Sequence, residues 1–192
     1  MRTTLFYIAF FTLFCQQTLA QSWTAQQLAQ ANTCQNVAQL SSIEKEAIMY
    51  INLARLYPKD FLKIEVQKVL PKYGDKSEYE ESLIEELSTR SPVGALVFDE
   101  AMYELAKCFA IESGEKGIIG HDRIQCKDDF LGECCTYGRD TGIDICLSWL
   151  IDENVPSLGH RKICLSDGYS KIGLSYHPKH SKYGNCTVAD FY

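Results

Sequence analysis

Apolar positions in the first half of the chain recur at helical spacing. Ile43, Ala47, Ile51 and Ala54 fall three or four residues apart, which is one buried stripe on an α-helix. Ser41-Ser42-Ile43-Glu44 gives its start capping-box spacing, with Ser41 accepting from first-turn amides and Glu44 reaching back. Pro58 ends the element, because proline lacks the N–H and crowds the preceding turn. After a loop over Pro71 to Ser77, Glu78 to Ser88 reads as a short helix whose acids form a solvated face. Ser91-Pro92-Val93-Gly94 is a second loop. Asp99 is an N-cap for a helix whose buried stripe is Met102, Leu105, Ala106 and Phe109. A glycine-containing turn, Gly114 to Gly120, then delivers His121. A further helix covers Gly142 to Ile151 and buries Ile143, Cys146, Leu147 and Leu150. Beyond it the period changes to two, with Ile172, Leu174 and Tyr176 alternating with small or polar residues. A polar turn (HPKHSKYG) and a second alternating segment from Val188 predict a terminal antiparallel hairpin. Helices first and strands late make a mixed α/β layer protein. No internal repeat or low-complexity tract interrupts it.

The N-terminus follows a different logic. Arg2, the apolar run Leu5 to Cys15, and small residues at Thr18 and Ala20 form the pattern of a secretory signal peptide over residues 1–20, cut between Ala20 and Gln21. That run of 11 residues is too short for the roughly 20 that a membrane-spanning helix needs, so the expected product is secreted and extracellular, without a transmembrane anchor. Residues 21–40 are rich in Gln and Ala and read as a mobile arm tied down at Cys34. Residues 41–192 form one domain, expected as a monomer. Loss of Arg2 leaves 18 basic against 25 acidic residues, a net charge of −7. That balance excludes nucleic acid as a partner and polybasic attachment to anionic lipid.

Of nine cysteines, eight remain after Cys15 leaves with the leader: Cys34, Cys108, Cys126, Cys134, Cys135, Cys146, Cys164 and Cys186. An even number in an exported chain predicts a disulfide framework, with the pairing left open. Cys134 and Cys135 are adjacent and are expected to bond to two different partners. A thiolate zinc site is the weaker alternative, since no C-x-x-C pair is present.

The chemistry concentrates in two stretches. Gly120 to Cys135 (GHDRIQCKDDFLGECC) holds His121 and Glu133, and Trp149 to Cys164 (WLIDENVPSLGHRKIC) holds Asp152 and His160. Asp152 follows Trp149 by three residues, so both project from one side of the helix. Pro156 forbids further helix and Gly159 frees the backbone to turn before His160, which predicts that acid and imidazole return beside each other. Two imidazoles can bind a divalent ion such as zinc, and two nearby carboxylates can orient the rings or hold a water. The same groups could run acid–base chemistry on a metal-bound water. Spacing alone also allows a blander reading, two loop histidines satisfied by hydrogen bonds, because no H-E-x-x-H helix is present. A serine hydrolase built on Ser148 or Ser157 with His160 lacks a G-x-S-x-G elbow. His177 and His180 read as part of a solvated hairpin turn. Asn185-Cys186-Thr187 fits the glycosylation sequon.

At these residues the chain resembles the CAP superfamily: cysteine-rich secretory proteins, antigen 5 and pathogenesis-related 1 proteins, also called the SCP domain. The similarity runs through most of residues 43–192. It shows as INLARLYPKDF at 51–61, LVFDEAMYELA at 96–106, GHD at 120–122, GE at 132–133, WLID at 149–152, GHR at 159–161 and YGNCTVADF at 183–191. The GHR form and the closing strand look more like the bacterial and protist branch. The resemblance implies an α-β-α sandwich with an open cleft in which His121, Glu133, Asp152 and His160 form a tetrad, with zinc or another divalent cation on His121 and His160. Asp152 departs from the family pattern, where many members carry Glu, and its reach is one methylene shorter. Cys134 stands where many relatives have Asn, which places a disulfide beside Glu133. Asn52 and Arg55 are expected to hold the first helix against its neighbours. The implied function is a secreted, non-enzymatic binding or effector protein for a sterol, another lipid or an extracellular protein. The alternatives are a metal-assisted hydrolase or protease with Glu133 as general base, and a pure protein-interaction module.

Overall fold

The structure is a computed structural model that describes residues 22–70 and 76–192. The segment expected as a signal peptide, residues 1–20, and most of the loop expected at Pro71 to Ser77 lie outside the described residues. The first helix of the described residues is α1 (Ala25–Ala31), followed by α2 (Ser42–Leu56) and α3 (Pro58–Phe61). A π-helical stretch, Leu62–Val66, leads into the single turn α4 (Gln67–Val69). Next come α5 (Glu78–Thr89), β1 (Val97–Phe98), α6 (Glu100–Lys116), β2 (Gly132–Tyr137), α7 (Gly142–Ile151), α8 (Gly159–Leu165), β3 (Lys171–His180) and β4 (Gly184–Phe191). The mixed α/β class is as expected.

The four strands form one sheet in the order β1-β3-β4-β2. β1 runs parallel to β3, and the β3–β4 and β4–β2 pairs are antiparallel, with the terminal hairpin at its centre. The register puts Glu133, Asp190 and Gly173 in one row across the sheet, and Cys135, Val188 and Ser175 in the next row on the same face, since residues two apart on a strand share a face. That face packs on α6, where Ala106, Phe109 and Ala110 meet Cys135 and Val188. The opposite face carries Cys134, Ala189, Leu174, Ile172 and Phe191 into the larger core built with α2, α7 and α8. Helices therefore lie against both faces of the sheet, and β2 is left as an edge beside the loops that follow α6 and α7.

Local signals hold where they were strong. Ser41 caps α2 with a full capping box, and the Glu44 carboxylate also accepts from the Tyr176 amide of β3 at 2.8 Å. Asp99 caps α6, and α7 has the expected bounds. Asn52 donates to Ala31 and Leu96 carbonyls at 3.0 Å and accepts from the Leu96 amide. Arg55, fully buried, donates to the carbonyls of Gly94, Cys164, Ser166 and Tyr169, and burial lowers its guanidinium pKa to about 10. Both residues therefore hold α2 against its neighbours, satisfying carbonyls that a helix end leaves orphaned.

Four expectations change. Residues 22–40 are not a loose arm: α1 has its own capping box from Thr24 and Gln27, and Trp23 packs on Tyr57 and Phe61. α6 passes through Gly114 and ends at Gly117, which takes the left-handed φ of 67°, so the turn before His121 is shorter than the glycines suggested. In the hairpin, β3 extends to His180 and the turn shrinks to three residues. The buried His180 ring accepts the Lys182 and Tyr183 amides and faces the Ile118 carbonyl. Finally, Cys108–Cys126 is the one disulfide among the described residues, and Cys34, Cys134, Cys135, Cys146, Cys164 and Cys186 are buried thiols. They fill apolar positions as small hydrophobes. Cys134 and Cys135 do diverge, as neighbours on a strand must, but into two separate cores. Among the described residues no helix is long and apolar enough to cross a membrane.

Gly173 marks the closest approach between α6 and the sheet. A Cβ there would lie 1.9 Å from the Tyr103 amide nitrogen and 2.1 Å from the Met102 carbonyl carbon, both backbone atoms that cannot rotate away. Gly173→Ala is expected to lose about 3 kcal/mol or more of stability, measured as a shift of the urea midpoint, while an exposed control such as Gly94→Ala shifts it little.

Candidate metal and ligand cleft

The first half of the site is the loop between α6 and β2, which carries His121. Its course is tightly specified. Cys126 is bonded to Cys108 of α6, and the Glu112 carboxylate accepts the amides of Ile124 and Gln125 at 3.0 Å. The Tyr137 hydroxyl accepts the Gly120 amide at 2.9 Å. Arg123 enters the interior between the rings of Phe109 and Phe130, with its guanidinium carbon 4.7 and 4.5 Å from their centroids. From there it donates to both Asp190 oxygens at 2.8 Å, to the carbonyls of Leu105 and Lys127, and to Glu133 Oε2. The other Glu133 oxygen meets His121 Nδ1 at 2.6 Å.

The second half is the α7–α8 connection. Asp152 caps α7 in the left-handed region at φ 57°, and Leu158 enters α8 at φ 51°. The positive φ values therefore fall on Asp152, Asn154 and Leu158 rather than on Gly159, which begins α8. Such conformations cost of order 1 kcal/mol or more at non-glycine positions and are held only by their surroundings. Here the holding group is the Asp152 carboxylate: Oδ2 accepts the His160 amide at 3.0 Å while Oδ1 meets His160 Nδ1 at 2.7 Å. The shorter acid reaches its partner because the left-handed cap folds the chain back over it. Arg161 secures the same connection by donating to the carbonyls of Leu150, Ile151 and Tyr79.

The structure brings all four residues together. The two imidazole rings lie 5.8 Å apart between centroids and are tilted by 36°. Each ring has its own nearly buried carboxylate, while His121 is 53% and His160 17% exposed. An ionised carboxylate can only accept, so Nδ1 carries the proton in each neutral ring and Nε2 keeps its lone pair for a ligand. The hydrogen bond that His121 donates to Glu133 raises the His121 pKa against its partial burial. Beside His160 opens a cavity of about 330 Å³ whose lining includes Cys135, Tyr137, Arg139, Trp149, Asp152 and Tyr183.

Three participants escaped the sequence reading. Arg123 and Asp190 form the buried charge set behind Glu133. Cys135 Sγ stands 3.8 Å from His121 Nδ1, and His121, Glu133 and Cys135 each offer a donor atom, all within 4.8 Å of one another, so they form a possible metal-binding group. The alternation in G-E-C-C was the available signal, because it puts Glu133 and Cys135 on one face of a strand. The disulfide expected at Cys134 is absent: its sulfur lies 4.0 Å from that of Cys164, unbonded. The Ser148 hydroxyl donates to the Ile145 carbonyl and shares a hydrogen bond with the Thr136 hydroxyl, and Ser157 is exposed. Asn185 is buried in β4, its amide donated to Asp140 and its oxygen accepting the Arg139 amide, so in the folded chain the sequon side chain is already occupied.

Asp190 has a consequence for pH. Burial pushes its pKa up to about 7, with the Glu133 carboxylate adding to the shift and Arg123 opposing it. A folded-state pKa above the unfolded value of about 3.9 means stability present below pH 4 that is lost as pH rises through 7. The raised His121 pKa acts in the same direction, beginning near its unfolded value. Asp190→Asn is expected to flatten the decline between about pH 4 and 7, measured as urea midpoint against pH. Compared with known proteins, the chain matches no family model and no curated protein.

Proposed function

We propose that this chain is an exported CAP-type protein, an α-β-α sandwich whose cleft holds a divalent cation between His121 and His160 and serves to bind a ligand rather than to turn one over. The observation that carries the reading is the pairing of each imidazole with its own acid, His121 with Glu133 and His160 with Asp152, at a ring separation of 5.8 Å. Histidines that bind metal characteristically donate their other ring N–H to a carboxylate, which fixes the tautomer and raises ligand basicity. Two such rings at this spacing can share one ion, since Zn–N bonds are about 2.0–2.1 Å. The sequence motifs that bound this constellation carry the resemblance to the CAP superfamily, and with it the class of ligand: a sterol or other lipid, or an extracellular protein.

The hydrolytic alternative has less support. A general base must be free to take a proton from a bound water, whereas both oxygens of Glu133 are engaged, one by His121 and one by Arg123. Glu133 thus reads as a group that orients a ring. The interaction-module alternative asks nothing of Nε2 on either histidine, and the same titration separates it from the cation reading.

Zinc titrated calorimetrically into the wild-type chain is expected to bind at one site, and the double variant His121→Ala/His160→Ala to lose at least about 100-fold in affinity, beyond the 10–100-fold typical of changes in groups that merely support a ligand. Equal binding by the two proteins would remove the cation from this cleft.

A further inference from the structure

The alternation along β2 places a thiol where neither the spacing of the histidines nor the resemblance calls for one. We propose that the cation in this cleft is held by a thiolate: Cys135 joins His121 and Glu133 as a protein donor, which makes the site selective for thiophilic ions such as zinc over calcium or magnesium. The inference rests on the reading that the cleft takes a cation, and it adds a donor that decides which cation.

The geometry is nearly assembled. Glu133 and Cys135 lie two residues apart on β2, and the loop bearing His121 crosses over both. His121 Nδ1 is 2.6 Å from Glu133 Oε1 and 3.8 Å from Cys135 Sγ, and the three donor atoms lie within 4.8 Å of one another. Zinc takes sulfur at about 2.3 Å and nitrogen or oxygen at about 2.0–2.2 Å in a tetrahedron, so donors around one ion sit roughly 3–4 Å apart. The sulfur–nitrogen distance already fits. Ligation by Nδ1 replaces the His121–Glu133 hydrogen bond: the ring proton moves to Nε2, the nitrogen–oxygen contact opens, and the half-exposed His121 ring is the member free to move.

Charge and access agree with this. Two buried carboxylates, Glu133 and Asp190, face one guanidinium, that of Arg123, which leaves the cluster short of positive charge. With both carboxylates ionised, a divalent ion that displaces the Cys135 proton brings Glu133, Asp190, thiolate, Arg123 and metal to a net charge of zero. In that step the S–H bond breaks, the S–metal bond forms and the thiol proton leaves to solvent, while the His121 proton passes from Nδ1 to Nε2 so that Nδ1 can bind, with no change of oxidation state. Arg123 holds Glu133 by Oε2, so Oε1, which meets His121 Nδ1, is the oxygen that the ion takes over from the ring. Cys135 also lines the cavity that His160 opens onto, which gives an ion its way in. Soft thiolate selects zinc-like ions, whereas calcium and magnesium require oxygen donors.

The test uses cobalt(II) as a spectroscopic stand-in for zinc, added to the full chain with its free thiols kept reduced. The expected result is a thiolate-to-cobalt charge-transfer band in the near ultraviolet beside the visible d–d bands, removed by zinc and resistant to a large excess of calcium or magnesium. Cys135→Ser is expected to lose the charge-transfer band and to weaken zinc binding by at least about tenfold. Cys134→Ser, whose side chain points to the opposite face, retains the band. Cobalt bound with d–d bands alone overturns the thiolate while leaving the cation reading intact, and so does a band undiminished in folded Cys135→Ser. Absence of any cobalt or zinc binding by the wild type overturns both. Should Cys135→Ser fail to fold, the wild-type spectrum decides by itself.

Discussion

The cleft depends on one buried cation. Arg123 leaves a loop, passes between two phenyl rings and ends against two carboxylates that belong to neighbouring strands. A buried guanidinium is tolerable only where its donors are satisfied, and the position that satisfies them here brings the preceding residues over β2. His121, two residues earlier, has its place set by that requirement. Glu133 is fixed by the same contact, so ring and acid are positioned by a single desolvated charge rather than by their own attraction. The aromatic faces add cation–π attraction of about 2 kcal/mol each when desolvated in this way.

The two imidazole–acid pairs look alike but are built differently. The His160 pair is local: eight residues separate the partners, and a left-handed helix cap returns the chain on itself. The His121 pair joins a loop to a strand that is itself ordered by β4. One half forms with its helix–turn–helix segment. The other exists only once the sheet and α6 have met. Both converge beside β2, the last strand of the sheet, where the cavity opens.

Much of this was legible in the sequence, where the signals were local. Capping residues located the starts of α2 and α6, the apolar run at Gly142 to Ile151 gave α7 its bounds, and period-two alternation found the hairpin. The return of Asp152 to His160 followed from a proline and a turn, although the positive φ fell on Asp152 and Leu158 instead of Gly159. What failed was non-local. Gly114 looked like a helix end, yet tertiary packing against the β3 segment carries α6 through it. Thr24 and Gln27 offered a capping box that was passed over in a Gln-rich stretch. Cysteine count could not separate a disulfide framework from buried thiols, because an apolar interior accepts a thiol as readily as an alanine. Arg123, Asp190 and Cys135 were invisible as a site because their partners lie on other elements.

The one cystine among the described residues gains significance from where it sits. Cys108–Cys126 encloses the segment that bears His121 and none of the segment that bears His160. Closing an 18-residue interval removes on the order of 3 kcal/mol of chain entropy from the unfolded state, all of it credited to one side of the cleft. The first imidazole therefore sits inside a covalently closed loop, and the second is seated by its helix cap. Of the two halves of the site, one carries a link that reductant can open.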